Sequence, residues 1–247
     1  MDGRGMRLRS RVFFACIALG AIGGTAFAGT VTVAAADNIY GAGFATAPDG
    51  SMPVQITLAP GDQYVTFSIT GGTNPCGSTW CVTMNAGYNY NDADGIGSAS
   101  NMSDNAYNSL SGISGDNAGF LVGVFENGTP SGTAPPSLDF TSGGLGTAFT
   151  SLSPLIDQTF FIGDGLTGDN SGSVQQFYVP AGATTLYLGF ADASGYHGDP
   201  NNGYDDNVGS FQVEYTEVGS VPEPGSVGLI ALGAAAMALL RRRAGSR

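Results

Sequence analysis

Apolar and polar residues alternate with a period of two along several short segments in the middle of the chain. Val65, Phe67 and Ile69 alternate with polar residues, and the same pattern recurs over residues 185–190 and 211–216. Alternation of this kind is typical of β-strands that bury one face. Shorter apolar segments bounded by Gly, Pro, Asn or Asp are further candidate strands, near residues 31–35, 54–58, 119–125, 159–162 and 174–179.

These strand candidates predict the fold class. Residues 29–220 show no sustained helical periodicity, and turn residues separate the candidate strands. About eight short strands in this arrangement predict an all-β domain, an antiparallel β-sandwich or jelly roll. The segment from Asn85 to Gly119 is rich in Asn, Ser, Gly and Asp, and we expect it to form a long surface loop.

The first 28 residues are organised like a secretory signal peptide. Four arginines within residues 1–11 precede an apolar run from Val12 to about Phe27, and small residues stand on either side of Phe27. A signal peptidase requires such small residues at its cleavage site. We expect cleavage after Ala28, which leaves residues 29–220 as the exported body.

Cys76 and Cys81 are the two cysteines of the predicted body. An even pair in an exported chain predicts one disulfide that closes a tight loop. A catalytic dithiol is the alternative, but the two-residue spacing of redox motifs is missing.

Residues 221–247 combine a short motif, an apolar stretch at about 226–240 and a basic tail at 241–247. The motif consists of Val221, Pro222, Glu223 and Pro224. Fifteen residues form a helix of about 22 Å, which is shorter than the ~30 Å hydrocarbon core and makes this a marginal transmembrane segment. The arginines of the tail favour the cytoplasmic side of such a transmembrane helix.

This order of features resembles the PEP-CTERM sorting signal of bacteria that make exopolysaccharide. The resemblance implies that an exosortase, a membrane protease or transpeptidase, removes the tail. The protein would then be anchored transiently in the inner membrane, and afterwards reach the cell surface or the extracellular space. An ordinary tail anchor is the alternative, which explains the helix and the arginines but not the Pro-Glu-Pro motif.

The charge distribution excludes one class of partner. The chain has no lysine, and its eight arginines all lie near the two ends. Of the 20 acidic residues only Asp2 and Glu223 lie outside residues 29–220, which leaves 18 acidic residues there and a formal charge of −18. Because such a body cannot neutralise phosphates, it is not expected to bind nucleic acid. The same negative charge makes residues 29–220 well suited to bind a divalent cation.

The acidic residues are concentrated between Asp192 and Ser210, a segment with four Asp and three Asn. Ca²⁺ takes six to eight oxygen ligands from carboxylates, amide side chains and backbone carbonyls. This segment offers all three kinds, and close carboxylates repel one another unless a positive charge lies among them. A solvated polar loop is the alternative, since Asn, Asp and Gly are common loop residues.

The order of residues in this segment resembles the carbohydrate-binding loop of calcium-dependent, galactose-specific bacterial lectins. A strand ends at Asp192, and residues 203–211, Gly-Tyr-Asp-Asp-Asn-Val-Gly-Ser-Phe, lead into the last strand. The resemblance implies a small, galactose-binding-like β-sandwich in which one Ca²⁺ bridges the protein and two sugar hydroxyls. It assigns the carboxylate of Asp192, the backbone carbonyl of Gly203 and the side chains of Asp206 and Asn207 as calcium ligands.

The same resemblance places one more carbonyl ligand near Thr73 or Asn74, and sugar contacts at Asp192, Gly203 and Asp206. His197 lies beside the loop and is a further candidate for contact with a sugar. The sequence departs from the lectins in three ways: the loop is longer, Asp206 replaces an Asn, and the upstream His and Gln that contact the sugar have no counterpart.

Catalysis is not expected. His197 is the only histidine, which excludes a zinc site of several imidazoles, and no Gly-x-Ser-x-Gly nucleophile motif is present. Asp92 and Asp94 stand as at the start of an EF-hand loop, but Tyr90 and Asn101 occupy positions where that motif has acidic ligands.

The sequence therefore predicts an exported surface or matrix protein that binds a galactose-like glycan or exopolysaccharide through calcium. The alternative is a structural matrix protein in which calcium only stabilises the fold.

Overall fold

A computed structural model describes residues 26–75, 91–192 and 203–219, together with Gly233, Ala234 and Met237. The chain divides into a body, residues 24–220, and a separate unit formed by its two ends.

The described body is all-β, as the sequence predicts, and its helical content is a single 3-10 turn at Ile39–Gly41. Its fourteen strands are β1 (Ala26–Ala34), β2 (Val54–Thr57), β3 (Asp62–Asn74), β4 (Ile96–Asp104), β5 (Ile113–Ala118), β6 (Phe120–Glu126), β7 (Leu138–Phe140), β8 (Ser151–Leu152), β9 (Thr159–Phe161), β10 (Leu166–Gly168), β11 (Ser171–Val174), β12 (Gln176–Tyr178), β13 (Thr185–Ala191) and β14 (Val208–Gly219).

Two sheets hold most of these strands. The larger has the order β1-β14-β3-β12-β8, and the second has the order β2-β13-β6-β9. The long strand β14 pairs antiparallel with β1 on one side and with β3 on the other. In the second sheet β13 pairs antiparallel with both β2 and β6. The last two long strands therefore lie in different sheets.

Aromatic side chains pack the two sheets against each other. The rings of Phe190 on β13 and Phe211 on β14 lie 6.4 Å apart. The rings of Phe160 on β9 and Phe177 on β12 lie 5.5 Å apart, and all four side chains are fully buried. Phe177 and Phe211 alternate with more exposed polar neighbours, whereas the neighbours of Phe160 and Phe190 are themselves buried. The two sheets thus pack face to face as in a sandwich, and the second sheet is also covered on its other face at these strands.

The expected long surface loop from Asn85 to Gly119 is wrong for its described part, residues 91–119. This part contains β4 and β5, which pair antiparallel, and β7 joins them in a third sheet. Met102 and Ile113 are fully buried. These two apolar side chains anchor a hairpin whose other residues are mostly small and polar, so its alternation is weak in the sequence.

The pairing also departs from a purely antiparallel sandwich. β8 runs parallel to β12, and β7 runs parallel to β5. Both β7 and β8 are very short strands at the edge of their sheets, where long connections from other parts of the chain can arrive in either direction. The jelly-roll order itself stays a prediction.

Candidate functional site

The carboxylate of Asp192 lies at the end of β13, where the two large sheets meet the segment that leads into β14. Its side chain is only 3% exposed. The backbone amide of Gly119 donates a hydrogen bond of 2.7 Å to the Asp192 carbonyl, which fixes the end of the strand. The Asp192 carboxylate receives a hydrogen bond from Asn207 and interacts with the carboxylate of Asp206, so it faces the turn formed by residues 203–207.

Tyr204 anchors this turn in the core. Its ring is fully buried, and its hydroxyl donates a hydrogen bond of 2.9 Å to the carbonyl of Phe190 on β13. The Asn207 amide nitrogen Nδ2 donates to the carbonyl of Ala35, which follows β1, over 3.1 Å. Gly203 and Asn207 are both buried. The turn is thus held between the start of β14, the end of β13 and the segment after β1.

Two carboxylates from distant parts of the chain complete the surroundings. Asp49 precedes β2, and its Oδ2 accepts a hydrogen bond of 3.1 Å from the Tyr204 backbone amide. Asp104 ends β4, and its Oδ2 accepts a hydrogen bond of 3.1 Å from the hydroxyl of Tyr40. Asp104 is 3% exposed. Sequence reasoning missed both residues because nothing local distinguishes them from other loop aspartates.

The electrostatics of this cluster are unfavourable without a cation. Burial raises the pKa of Asp192 to about 8, and the carboxylates of Asp206, Asp104 and Asp49 add to the rise, which a hydrogen bond from Asn207 opposes. Burial and the nearby carboxylates of Asp205 and Asp49 also raise the pKa of Asp206. Residues 29–220 contain no lysine or arginine that could neutralise these charges, whereas protons or a bound cation could do so.

A buried amide oxygen lacks a hydrogen-bond partner at this point. Asn207 is 8% exposed, and its Oδ1 accepts no hydrogen bond, although its Nδ2 donates to Ala35. A buried amide oxygen without a donor destabilises the fold unless a cation or water satisfies it. Oxygen atoms of amides and carboxylates are the ligands of Ca²⁺, so the residues present fit that ion.

The predicted ligands are thus neighbours in the structure. The carboxylate of Asp206 raises the pKa of Asp192, and a hydrogen bond from Asn207 lowers it, so both side chains lie close to the Asp192 carboxylate. Gly203 belongs to the same turn. Asn74 is 4% exposed and pairs with Val208 at the start of β14, so the predicted carbonyl ligand near Thr73 or Asn74 lies at the same end of the sheet. Their roles as ligands stay predictions.

Several predicted residues lie outside the part of the chain that the structure describes: His197, the cysteine pair Cys76 and Cys81, and the motif Val221 to Pro224. The same holds for most of the predicted signal peptide, although β1 begins at Ala26 and includes its last three residues. Cleavage after Ala28 would therefore shorten this strand.

A second acidic cluster joins loops that are distant in the sequence. Carboxylate oxygens of Asp92, Asp94 and Asp169 lie within 4.8 Å of one another. The Asn170 amide nitrogen donates to Asp92 over 2.8 Å and to Asp169 over 2.7 Å. Burial and the nearby carboxylates raise the pKa of Asp94 to about 7, although a hydrogen bond from the Asp164 amide opposes the rise. The EF-hand-like start at Asp92 was the sequence signal, and nothing in the sequence linked it to the remote Asp169.

The C-terminal segment is described at three residues only. Gly233, Ala234 and Met237 are helical and exposed, within the predicted transmembrane helix at about 226–240. In the part of the chain that the structure describes, no helix combines the length and apolar character needed to cross a membrane.

Comparison with known proteins gives one match. No curated protein and no solved structure matches the chain. Residues 220–243 match the family model of the PEP-CTERM protein-sorting motif. This is the segment where the order of Pro-Glu-Pro, apolar stretch and arginines predicted such a signal. The chain therefore carries a PEP-CTERM sorting motif, which supports an exported protein that is processed by an exosortase.

Proposed function

We propose that the exported body binds Ca²⁺ through the Asp192 carboxylate, the Gly203 carbonyl and the side chains of Asp206 and Asn207. The unpartnered, buried Oδ1 of Asn207 beside the buried carboxylate of Asp192 carries this proposal. A divalent cation would satisfy the amide oxygen and neutralise the neighbouring carboxylates together.

The bound ion would also present a carbohydrate site. Ca²⁺ supplies open coordination positions that hydroxyl pairs of a galactose-like glycan or exopolysaccharide can occupy. The resemblance of residues 192–211 to the loop of calcium-dependent lectins supports this assignment, and the sorting motif supports a location where such polysaccharides occur. The function is binding, without a catalytic step.

A structural role of calcium is the second candidate. Asp104, Asp192 and Asn207 are all buried, so much of the site faces the protein interior. This burial favours an ion that ties β13, β14 and the segment after β1 together in a matrix protein. Binding to immobilised glycans, with calcium and with chelator, distinguishes the two functions, because the structural role predicts no bound sugar under either condition.

Thermal unfolding of the full-length chain in mild detergent tests calcium binding. A ligand that binds only the folded state stabilises it by about 2.7 kcal/mol at a hundredfold excess over Kd. We expect millimolar Ca²⁺ to raise the thermal midpoint by about 5–10 °C over chelator in the wild type, and Asp206→Ala to abolish most of this rise. Asp205→Ala is the matched control, because its side chain is exposed. An equal calcium response in all three proteins would contradict the proposal.

We further propose that exosortase processing depends on the motif Val221 to Pro224. In a host that carries an exosortase, the wild-type chain should leave the membrane fraction as a shorter product. Replacement of Pro222 and Pro224 by alanine should leave the full-length chain in that fraction, whereas Ser226→Ala should not. Release of the double variant at the wild-type rate would favour an ordinary tail anchor.

A further inference from the structure

Asp49 makes a contact with the proposed calcium loop that the chain's local sequence gives no reason to expect. Its Oδ2 accepts the hydrogen bond of 3.1 Å from the backbone amide of Tyr204, across 155 positions of sequence. This amide belongs to the same peptide unit as the carbonyl of Gly203. In a planar trans peptide the N–H and the C=O point in opposite directions. A hydrogen bond to the N–H therefore turns the Gly203 carbonyl away from Asp49 and fixes that direction.

The segment that carries Asp49 is itself rigidly held. The Asn38 Nδ2 donates to the backbone carbonyl of Asp49 over 3.2 Å, and the backbone amide of Ser51 donates to the carbonyl of Ala36 over 2.8 Å. Gly50 has a positive φ of 68° and packs against Tyr204 so closely that a Cβ would lie 2.7 Å from the Tyr204 Cβ. A support of this kind can hold a peptide plane in one orientation.

The acidic character of residue 49 is unfavourable for the loop alone. The Asp49 carboxylate adds to the charges that raise the pKa values of Asp192 and Asp206. An asparagine could accept the same hydrogen bond without this repulsion. The orientation of the peptide and the charge are thus two separable contributions of one side chain.

We propose that Asp49 is a positioning residue of the calcium site, which orients the Gly203 carbonyl through its hydrogen bond to the Tyr204 amide. This inference rests on the proposed function. Residues that orient metal ligands typically change metal affinity by about 10–100-fold when they are mutated. Calcium affinity should fall when residue 49 loses its hydrogen-bond acceptor, and removal of the negative charge alone should change the affinity little.

Calorimetric titration of the full-length, chelator-treated chain with Ca²⁺ separates these contributions. We expect Asp49→Ala to raise Kd by about 10–100-fold, and Asp49→Asn, which keeps an acceptor, to stay within about fivefold of the wild type. Asp116→Ala is the matched control, because Asp116 accepts a comparable hydrogen bond of 2.7 Å from the backbone amide of Ser142 and is not among the carboxylates that raise the pKa values of Asp192 and Asp206. It should bind like the wild type.

Other results of this titration would overturn the inference. Equal losses in Asp49→Ala and Asp49→Asn, or no loss in Asp49→Ala, overturn the positioning role and leave the calcium site intact. Absence of binding by the wild type overturns the proposed function and this inference with it.

Folding is checked by thermal unfolding in chelator, with Asp49→Leu as a second variant without an acceptor. If neither apolar variant unfolds cooperatively while Asp49→Asn does, the bond serves the fold rather than the metal, which overturns the inference.

Discussion

Buried carboxylates in a body that contains no lysine or arginine are the main feature of this protein at the scale of single residues. Those described as buried are Asp37, Asp104, Glu126, Asp164, Asp192 and Glu217. Several use backbone amides in place of cations: Asp164 accepts hydrogen bonds from Leu166 and Asn170, and Glu217 accepts one from Ala59. Hydrogen bonds of this kind stabilise the charged form. Glu126 differs, because no backbone amide donates to its carboxylate oxygens and the group that it faces is another carboxyl, that of Asp157.

We predict that Glu126→Gln stabilises the protein above neutral pH. Burial, with Asp157 facing the carboxyl group, raises the Glu126 pKa from 4.5 to about 9. The folded state therefore holds this proton more tightly than the unfolded state, and stability is lost as the pH rises from about 4.5 towards 9. The neutral amide should restore about 1–3 kcal/mol at pH 9, measured by urea unfolding.

The matched control for this substitution is Glu214→Gln, because Glu214 is exposed on β14. It should leave the difference in unfolding free energy between pH 6 and pH 9 unchanged. If Glu126→Gln retains the same pH dependence as the wild type, the Glu126 carboxyl group does not hold a proton in the folded state.

Of the candidate site, the sequence predicted the residues that lie in one continuous segment, Asp192 to Asn207. Asp192 and the turn from Gly203 to Asn207 stand close together in the sequence and match an ordered pattern, so their proximity in space could be expected. Asp49 and Asp104 reach the same place through tertiary contacts with Tyr204 and Tyr40. Contacts of that kind leave no local pattern, because any loop aspartate can make them.

At the scale of strands and sheets, aromatic contacts determine how the layers fit. The fully buried ring of Phe177 on β12 lies 5.5 Å from Phe160 of the opposite sheet, 5.3 Å from Phe67 and 5.9 Å from Phe149. It therefore joins both large sheets and one connecting segment. Its removal would leave a cavity that rigid sheets cannot fill by collapse.

We predict that Phe177→Ala destabilises the protein by about 3–5 kcal/mol and lowers the thermal midpoint by about 10 °C. Leu145→Ala is the control, because Leu145 is 53% exposed and its truncation should change stability by about 0.5 kcal/mol at most. Similar midpoints for the two variants would show that Phe177 does not hold the sheets together.

All eight candidate strands of the sequence have counterparts among the described strands, while β4, β5, β7, β8, β10 and β11 were missed. The recognised strands either alternate large apolar and polar residues, as Val65, Phe67 and Ile69 do on β3, or are short apolar segments, as β6 is. In β4 and β5 small polar residues occupy most positions, and only a few apolar side chains such as Met102 and Ile113 reach the core. Periodicity detects a strand only where its buried face is clearly apolar.

For the molecule as a whole, the formal charge of −18 in residues 29–220 links stability to pH and to cations. Because the Asp192 pKa is raised from 3.8 to about 8, the folded state without calcium loses stability as the pH rises between these values. Ca²⁺ must displace the Asp192 proton to bind, so its affinity should increase over the same range. Protons and calcium thus compete for one cluster.

Calorimetric titration of the full-length chain with Ca²⁺ at pH 6 and pH 8 tests the calcium site most directly. We predict a binding event in the wild type that is about tenfold or more tighter at pH 8, is lost in Asp192→Asn, and persists in Asp94→Asn. Asp94 is the matched control, because it lies in the other acidic cluster and its pKa is also raised, to about 7. Undiminished binding by Asp192→Asn, or its loss in Asp94→Asn alone, would contradict a calcium site at Asp192.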